Sequence, residues 1–84
     1  MEGIDRELFY IGTKTALLAM AESCNCMDDQ LLRLRRSARK MTHFAVNEDE
    51  GTDLEFLIED LKEARAFIQQ AHKKLSNAAK YIED

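Results

Sequence analysis

Cysteine and histidine are the side chains in this 84-residue chain with the strongest tendency to bind metal ions. The sequence contains Cys24, Cys26, His43 and His72. A structural zinc site gathers four such ligands around one ion and usually spaces them closely in pairs along the chain. On a helix, the residues between Cys26 and His43 would span roughly 25 Å at 1.5 Å per residue. We therefore expect no metal site and no cofactor, with Cys24 as a buried free thiol.

Arginine and histidine could together act on a phosphodiester, with the imidazole as a base and the guanidinium stabilising the developing charge. Arg36 and His43 are separated by six residues, and Ser37 follows the arginine. This pattern resembles the Arg-x(4–6)-His signature of HEPN ribonucleases over eight residues. The resemblance implies an all-helical dimer in which Arg36 and His43 of two subunits meet and cut RNA. We predict no catalytic residue and retain this enzyme as an alternative function.

Charged residues are segregated along the sequence. The net charge is −4, which disfavours attraction to nucleic acid or to an anionic membrane. A basic cluster from Arg33 to Lys40 keeps nucleic-acid binding open as a second alternative. Facing carboxylates are expected to pair with this cluster, and these are Glu55, Glu59, Asp60 and Glu63. The acidic residues predicted to form an exposed tip that recognises a partner are Glu48, Asp49 and Glu50.

The composition is typical of an all-α protein. The chain has no proline, only three glycines and no extended alternation of apolar and polar residues. Its length predicts one helical domain over residues 1–84. No apolar run approaches the roughly 18 residues of a membrane-spanning helix, and the first residues do not resemble an export signal. We therefore expect a cytoplasmic protein without a membrane-spanning segment.

Two helices are predicted, one at about 5–45 and one at about 53–82, with an acidic loop at 46–52. Thr52 and Glu55 have the spacing of a capping box, which predicts a helix start at Thr52. The poor helix formers at 23–26 favour a break there, whereas the apolar spacing runs through without interruption. A continuous or kinked first helix gives an antiparallel hairpin, and a break gives a three-helix bundle.

Apolar residues recur every three or four positions in both helices, which predicts that they pack along one seam. In the antiparallel hairpin Leu31 is expected opposite Ile68. The predicted seam residues of the first helix are Leu17, Met20, Cys24, Met27, Leu31, Leu34, Ala38, Met41 and Ala45. Those of the second helix are Leu54, Leu57, Leu61, Ala64, Ile68, Ala71, Leu75, Ala78 and Ile82.

Several large apolar residues lie beside this seam, where a two-helix hairpin cannot bury them. We predict that they form a self-interface or a partner interface, and they are Leu8, Phe9, Ile11, Leu18 and Phe67. The expected architecture is therefore a hairpin that dimerises into a four-helix bundle. The expected function is a protein–protein interaction module, such as an adaptor, an inhibitor or a chaperone-like subunit. Its partner is an unidentified protein, recognised also by Arg33, Arg36 and the acidic tip.

Overall fold

The protein is an antiparallel hairpin of two long helices, seen in a computed structural model. Helix α1 spans Glu2–Thr42 and helix α2 spans Glu48–Lys80, and no strand occurs in residues 2–82, which the structure describes. This description omits the side chains of Glu2 and Ile4, and the predicted domain limits at residues 1 and 84 lie outside it. The all-α hairpin predicted from the sequence is confirmed. The alternative with three helices is not the observed fold.

Helix α1 runs without a break through the segment of poor helix formers. The hydroxyl of Ser23 donates to the carbonyl oxygen of Ala19 at 3.1 Å, a local bond that lets serine remain inside a helix. Arg39 and Lys40 occupy the last turn, where positive charge interacts favourably with the helix dipole. The break considered near 23–26 is therefore absent.

Helix α2 begins earlier than its predicted start at Thr52. The side chain of Asn47 accepts a hydrogen bond from the amide of Glu50 at 2.8 Å, which makes Asn47 the N-cap. Glu48, Asp49 and Glu50 then form the acidic first turn, where negative charge favours helix formation. The capping-box prediction was wrong because Asn47 supplies a cap one turn earlier. The linker shortens to residues 43–47.

The hairpin is an elongated rod, with extents of 68 × 15 × 14 Å. Its Cα radius of gyration is 19.4 Å, whereas a compact chain of this length has about 12 Å. A third layer of structure does not fold back onto the two helices in the described part of the chain. The rod therefore has two broad sides that neither helix covers.

Most of the predicted seam is covered between the helices, including every predicted α2 position except Leu57. The least exposed positions include Cys24 and Ala38 on α1, and Leu61, Ile68 and Leu75 on α2. The remaining positions, four on α1 and Leu57 on α2, are displaced by one residue, so Ala21 and Asp28 are covered where Met20 and Met27 were predicted. On α2 the same displacement covers Ala79 more fully than Ala78.

Small and polar residues explain this displacement. Ala21, Cys24, Ala38 and Ala79 are the buried hydrophobic residues of the described chain, and small side chains let two helices approach closely. Asp28 joins them because α2 supplies donors for its carboxylate. The large side chains that were predicted to pack between the helices are consequently turned to one broad side of the rod, and they are Met20, Met27, Leu34, Met41 and Leu57.

Candidate interaction surfaces

One broad side of the hairpin, the back side, is polar and contains the main cross-link between the helices. Arg65 donates from Nε to Oδ1 of Asp28 at 2.9 Å and from Nη2 to Oδ2 at 3.4 Å. Gln69 donates to the same Oδ1 at 3.3 Å. Cys24 and His72 line a cavity of about 80 Å³ beside this cluster. At this level of the rod the back side is therefore engaged in contacts within the chain.

A second charged group, Arg35, reaches into the space between the helices without being neutralised there. Its Nε atom is buried and has no hydrogen-bond partner among the described residues. Leaving a buried donor unsatisfied costs about 1–3 kcal/mol. The hairpin interior is thus narrow and contains an unsatisfied donor, which is a weak basis for stability in a chain of this size.

The opposite broad side, which we call the front face, is apolar. It carries a groove of about 540 Å³ between the helices. Leu34 is 56% exposed and Phe67 is 69% exposed at this groove. The residues that line the groove are Met27, Gln30, Leu31, Leu34, Ala64, Phe67 and Ile68. We define the front face by these residues together with Met20, Met41, Leu57 and Ala71, which continue it by helical spacing.

The front face contains no charged residue along its centre, and charges occur only at its outer edge. Asp60 and Lys74 lie seven residues before and after Phe67, so the three side chains follow the same side of α2 at intervals of two turns. Asp60 and Lys74 are both exposed. An apolar strip with charges along its edge is typical of a surface that packs against another helix.

The predicted interface residues fall into two groups. Phe67 lies at the groove of the front face, whereas Leu18 lies two residues from Met20 and therefore points about 160° away around α1. Leu8, Phe9 and Ile11 are exposed on the N-terminal part of α1. There the ring of Phe9 meets the ring of Tyr10 edge-on at 5.4 Å, and Arg6 lies 5.7 Å from the Tyr10 ring centre.

Except for Arg35, the basic cluster from Arg33 to Lys40 lies on the outer side of α1, away from α2. Its members Arg33, Arg36, Arg39 and Lys40 are exposed and form no ion pair within residues 2–82. The prediction that carboxylates of α2 neutralise this cluster was wrong, because those carboxylates also point outward and the ion pair across the interior is Asp28–Arg65.

Arg36 and His43 are both exposed near the hairpin end. His43 follows the last turn of α1, and its amide donates to the carbonyl oxygen of Lys40 at 3.2 Å. The acidic residues of the tip are nearby in sequence, but they belong to the first turn of α2 and not to a loop.

The described residues contain neither a cluster of metal ligands nor a membrane-spanning helix. Over residues 2–82 no three His, Cys, Asp or Glu side chains lie close enough together to hold a metal ion. Cys24 is a buried free thiol and Cys26 an exposed one. Neither α1 nor α2 has a sufficiently long and apolar stretch to cross a bilayer.

The sequence interpretation missed the front face as an external surface because it assigned those residues to the hairpin interior. The signal that identifies them is the recurrence of large apolar residues every seven positions at Met20, Met27, Leu34 and Met41. Together the fold and surfaces define a two-helix hairpin with one polar side and one uncovered apolar side. The chain matches no known family, no curated protein and no solved structure.

Proposed function

We propose that this protein is a small interaction module that packs its front face against a second copy of itself, forming a four-helix bundle. The observation that carries this proposal is the uncovered apolar front face, whose large residues remain exposed in the single hairpin. Exposed apolar patches of this extent mark association surfaces. The bundle acts as an adaptor, an inhibitor or a chaperone-like subunit for another protein in the cytoplasm, where free thiols such as Cys24 and Cys26 persist.

The surface area of the hairpin supports a dimer. The single chain exposes 6831 Å², whereas a compact protein of 9.7 kDa exposes roughly 5,100 Å². The excess is about 1,700 Å² per chain and about 3,400 Å² for two chains. Obligate homodimers bury roughly 2,000–5,000 Å² in total. A second copy is therefore large enough to cover the excess.

The charged residues outside the front face remain available to the further partner. Arg33 and Arg36 are exposed on the outer side of α1, and Glu48 and Asp49 are exposed at the hairpin end. Glu50 is partly covered there. Opposite charges at separate places on one rod favour a partner with a defined orientation, because electrostatic complementarity sets specificity more than affinity.

A pair of matched substitutions tests the front face. Leu34→Asp places a charge at the groove, which should weaken self-association by roughly 100-fold because an unpaired charge is costly to bury. Leu18→Asp makes the same change on the other side of α1 and should leave association unchanged. Light scattering after size exclusion gives the mass, small-angle scattering gives the radius of gyration, and circular dichroism reports helicity.

We expect twice 9.7 kDa for the wild type and for Leu18→Asp, and a monomer for Leu34→Asp. A wild type that stays monomeric at high micromolar concentration contradicts the proposed dimer. A Leu34→Asp variant with the wild-type mass contradicts the choice of face.

A further inference from the structure

We propose that the two copies pair about a two-fold axis that crosses the groove at Gln30 and Phe67, so that the hairpin ends of the copies point in opposite directions. This inference rests on the proposed self-association and specifies its geometry. In this arrangement α1 packs antiparallel to the partner's α1, and α2 packs antiparallel to the partner's α2. An isologous interface of this kind requires that each surface complement itself.

The front face of α1 is self-complementary about the level of Gln30. Met27 and Leu34 lie at almost equal distances on either side of that level, and both line the groove. In an antiparallel pair of α1 helices Met27 therefore meets the partner's Leu34. Met20 and Met41 stand one heptad farther out on each side and meet in the same way. Gln30 meets the partner's Gln30 on the axis itself.

The front face of α2 is self-complementary about Phe67. Two turns before Phe67 is Asp60, and two turns after it is Lys74. An antiparallel α2 pair centred at Phe67 therefore brings Asp60 to the partner's Lys74 and Lys74 to the partner's Asp60. Both side chains are exposed in the single hairpin. The pairing forms two attractive contacts at the edge of the apolar strip.

The two centres lie at the same level of the rod. Gln30, Leu31, Phe67 and Ile68 all line one groove, so the axis found on α1 and the axis found on α2 coincide. A single two-fold operation thus satisfies both helices. The α1 centre is defined by apolar residues and the α2 centre by charged residues, so the two centres are independent features of the rod.

The other two-fold arrangement, with both hairpin ends on the same side, separates Asp60 from the partner's Lys74. There α1 faces the partner's α2 at equal level. Asp60 then meets the partner's Ser37, and Lys74 meets the partner's Ser23, because both serines lie seven residues from Gln30. Arg33 lines the same surface of α1 as Ser37 and would there lie near Asp60. Only the arrangement with opposed ends pairs Asp60 with the partner's Lys74, so charge reversal at these two positions distinguishes the two arrangements.

Charge reversal tests this geometry in the otherwise native protein. Asp60→Lys and Lys74→Asp each create two repulsive contacts and should each weaken the dimer by about tenfold. The double variant should restore wild-type affinity. Glu59→Lys and Lys73→Asp are the matched controls on the outer side of α2 and should have little effect. Sedimentation equilibrium at low ionic strength measures the dissociation constants.

Cysteine cross-linking tests the axis independently. In a Cys24→Ala, Cys26→Ser background, Gln30→Cys should form a disulfide-linked dimer under diamide oxidation. Ser23→Cys chains alone should not form a disulfide-linked dimer. A mixture of Ser23→Cys and Ser37→Cys chains should form a disulfide between the two kinds of chain, because these positions face each other across the axis. Helicity is checked by circular dichroism before oxidation.

The outcomes separate this inference from the proposed function. If the double charge variant does not restore the affinity of the dimer, the opposed-end geometry is overturned while the dimer stands. The same conclusion follows if Gln30→Cys chains cross-link to Phe67→Cys chains and not to each other. A monomeric wild type overturns both proposals.

Discussion

Among single residues, Asp28 makes the most informative contact because it joins the two helices through three hydrogen bonds. Its carboxylate accepts from Arg65 in a two-point contact and from Gln69. Asp28 and Arg65 are partly covered, with 21% and 26% of their side chains exposed. A pair in this environment contributes modestly by attraction, but removing one member leaves the other charge without a partner.

Asp28→Ala should therefore lower the free energy of unfolding by about 1 kcal/mol, because Arg65 and Gln69 lose their shared acceptor. Asp29→Ala is the matched control, since Asp29 is an exposed neighbour on α1. Urea denaturation, followed by circular dichroism at a fixed chain concentration, measures the free energy of unfolding of both variants. Equal stabilities of the two variants would show that the ion pair does not hold the helices together.

At the scale of the helices, the boundary between them is set by Asn47. This residue accepts from the amide of Glu50, and its carbonyl oxygen accepts from the amide of Gly51 at 3.1 Å. Thr52, which the sequence pattern favoured as the cap, lies within α2. Both residues have capping side chains, but only one is at the end of the helix.

Asn47→Ala should destabilise the hairpin by about 1 kcal/mol, which is the usual cost of losing an N-cap side chain. Thr52→Ala should have no such cost, because alanine is favourable inside a helix. Thermal unfolding of the two variants compares these effects directly. A larger loss from the Thr52 change would restore the capping box as the start of α2.

The helices themselves could be predicted from the sequence because local spacing, the lack of proline and the few glycines all favour them. Their contact faces could be predicted only in part. Met27 and Asp28 are neighbours, and either one keeps the three-and-four spacing of an interior stripe. Apolarity favoured Met27, whereas the hairpin covers Asp28 because Arg65 lies across from it. That partner is distant in sequence, so no local pattern reveals it.

Over the whole molecule, the assignment of front-face residues to the hairpin interior explains why the sequence did not predict the front face as a surface. Phe67 could be identified as lying outside the hairpin interior, but its apolar neighbours Met27 and Leu34 were assigned to the interior. The rod geometry reverses this assignment, because two helices bury only a narrow strip and small residues fill that strip here. The result is a hairpin in which many of the large apolar residues remain exposed, and we propose that those on the front face serve association.

Three of the five large apolar residues of α1 on the front face are methionines, which would make the proposed dimer sensitive to oxidation. Met20, Met27 and Met41 have exposed side chains in the single hairpin. Hydrogen peroxide converts a thioether to a polar sulfoxide, which disrupts apolar interfaces. Mild peroxide treatment should therefore dissociate the dimer while helicity remains, and methionine sulfoxide reductases should restore it. A variant with leucine at these three positions should keep its mass after the same treatment, and dissociation of that variant would exclude the sulfoxides as the cause.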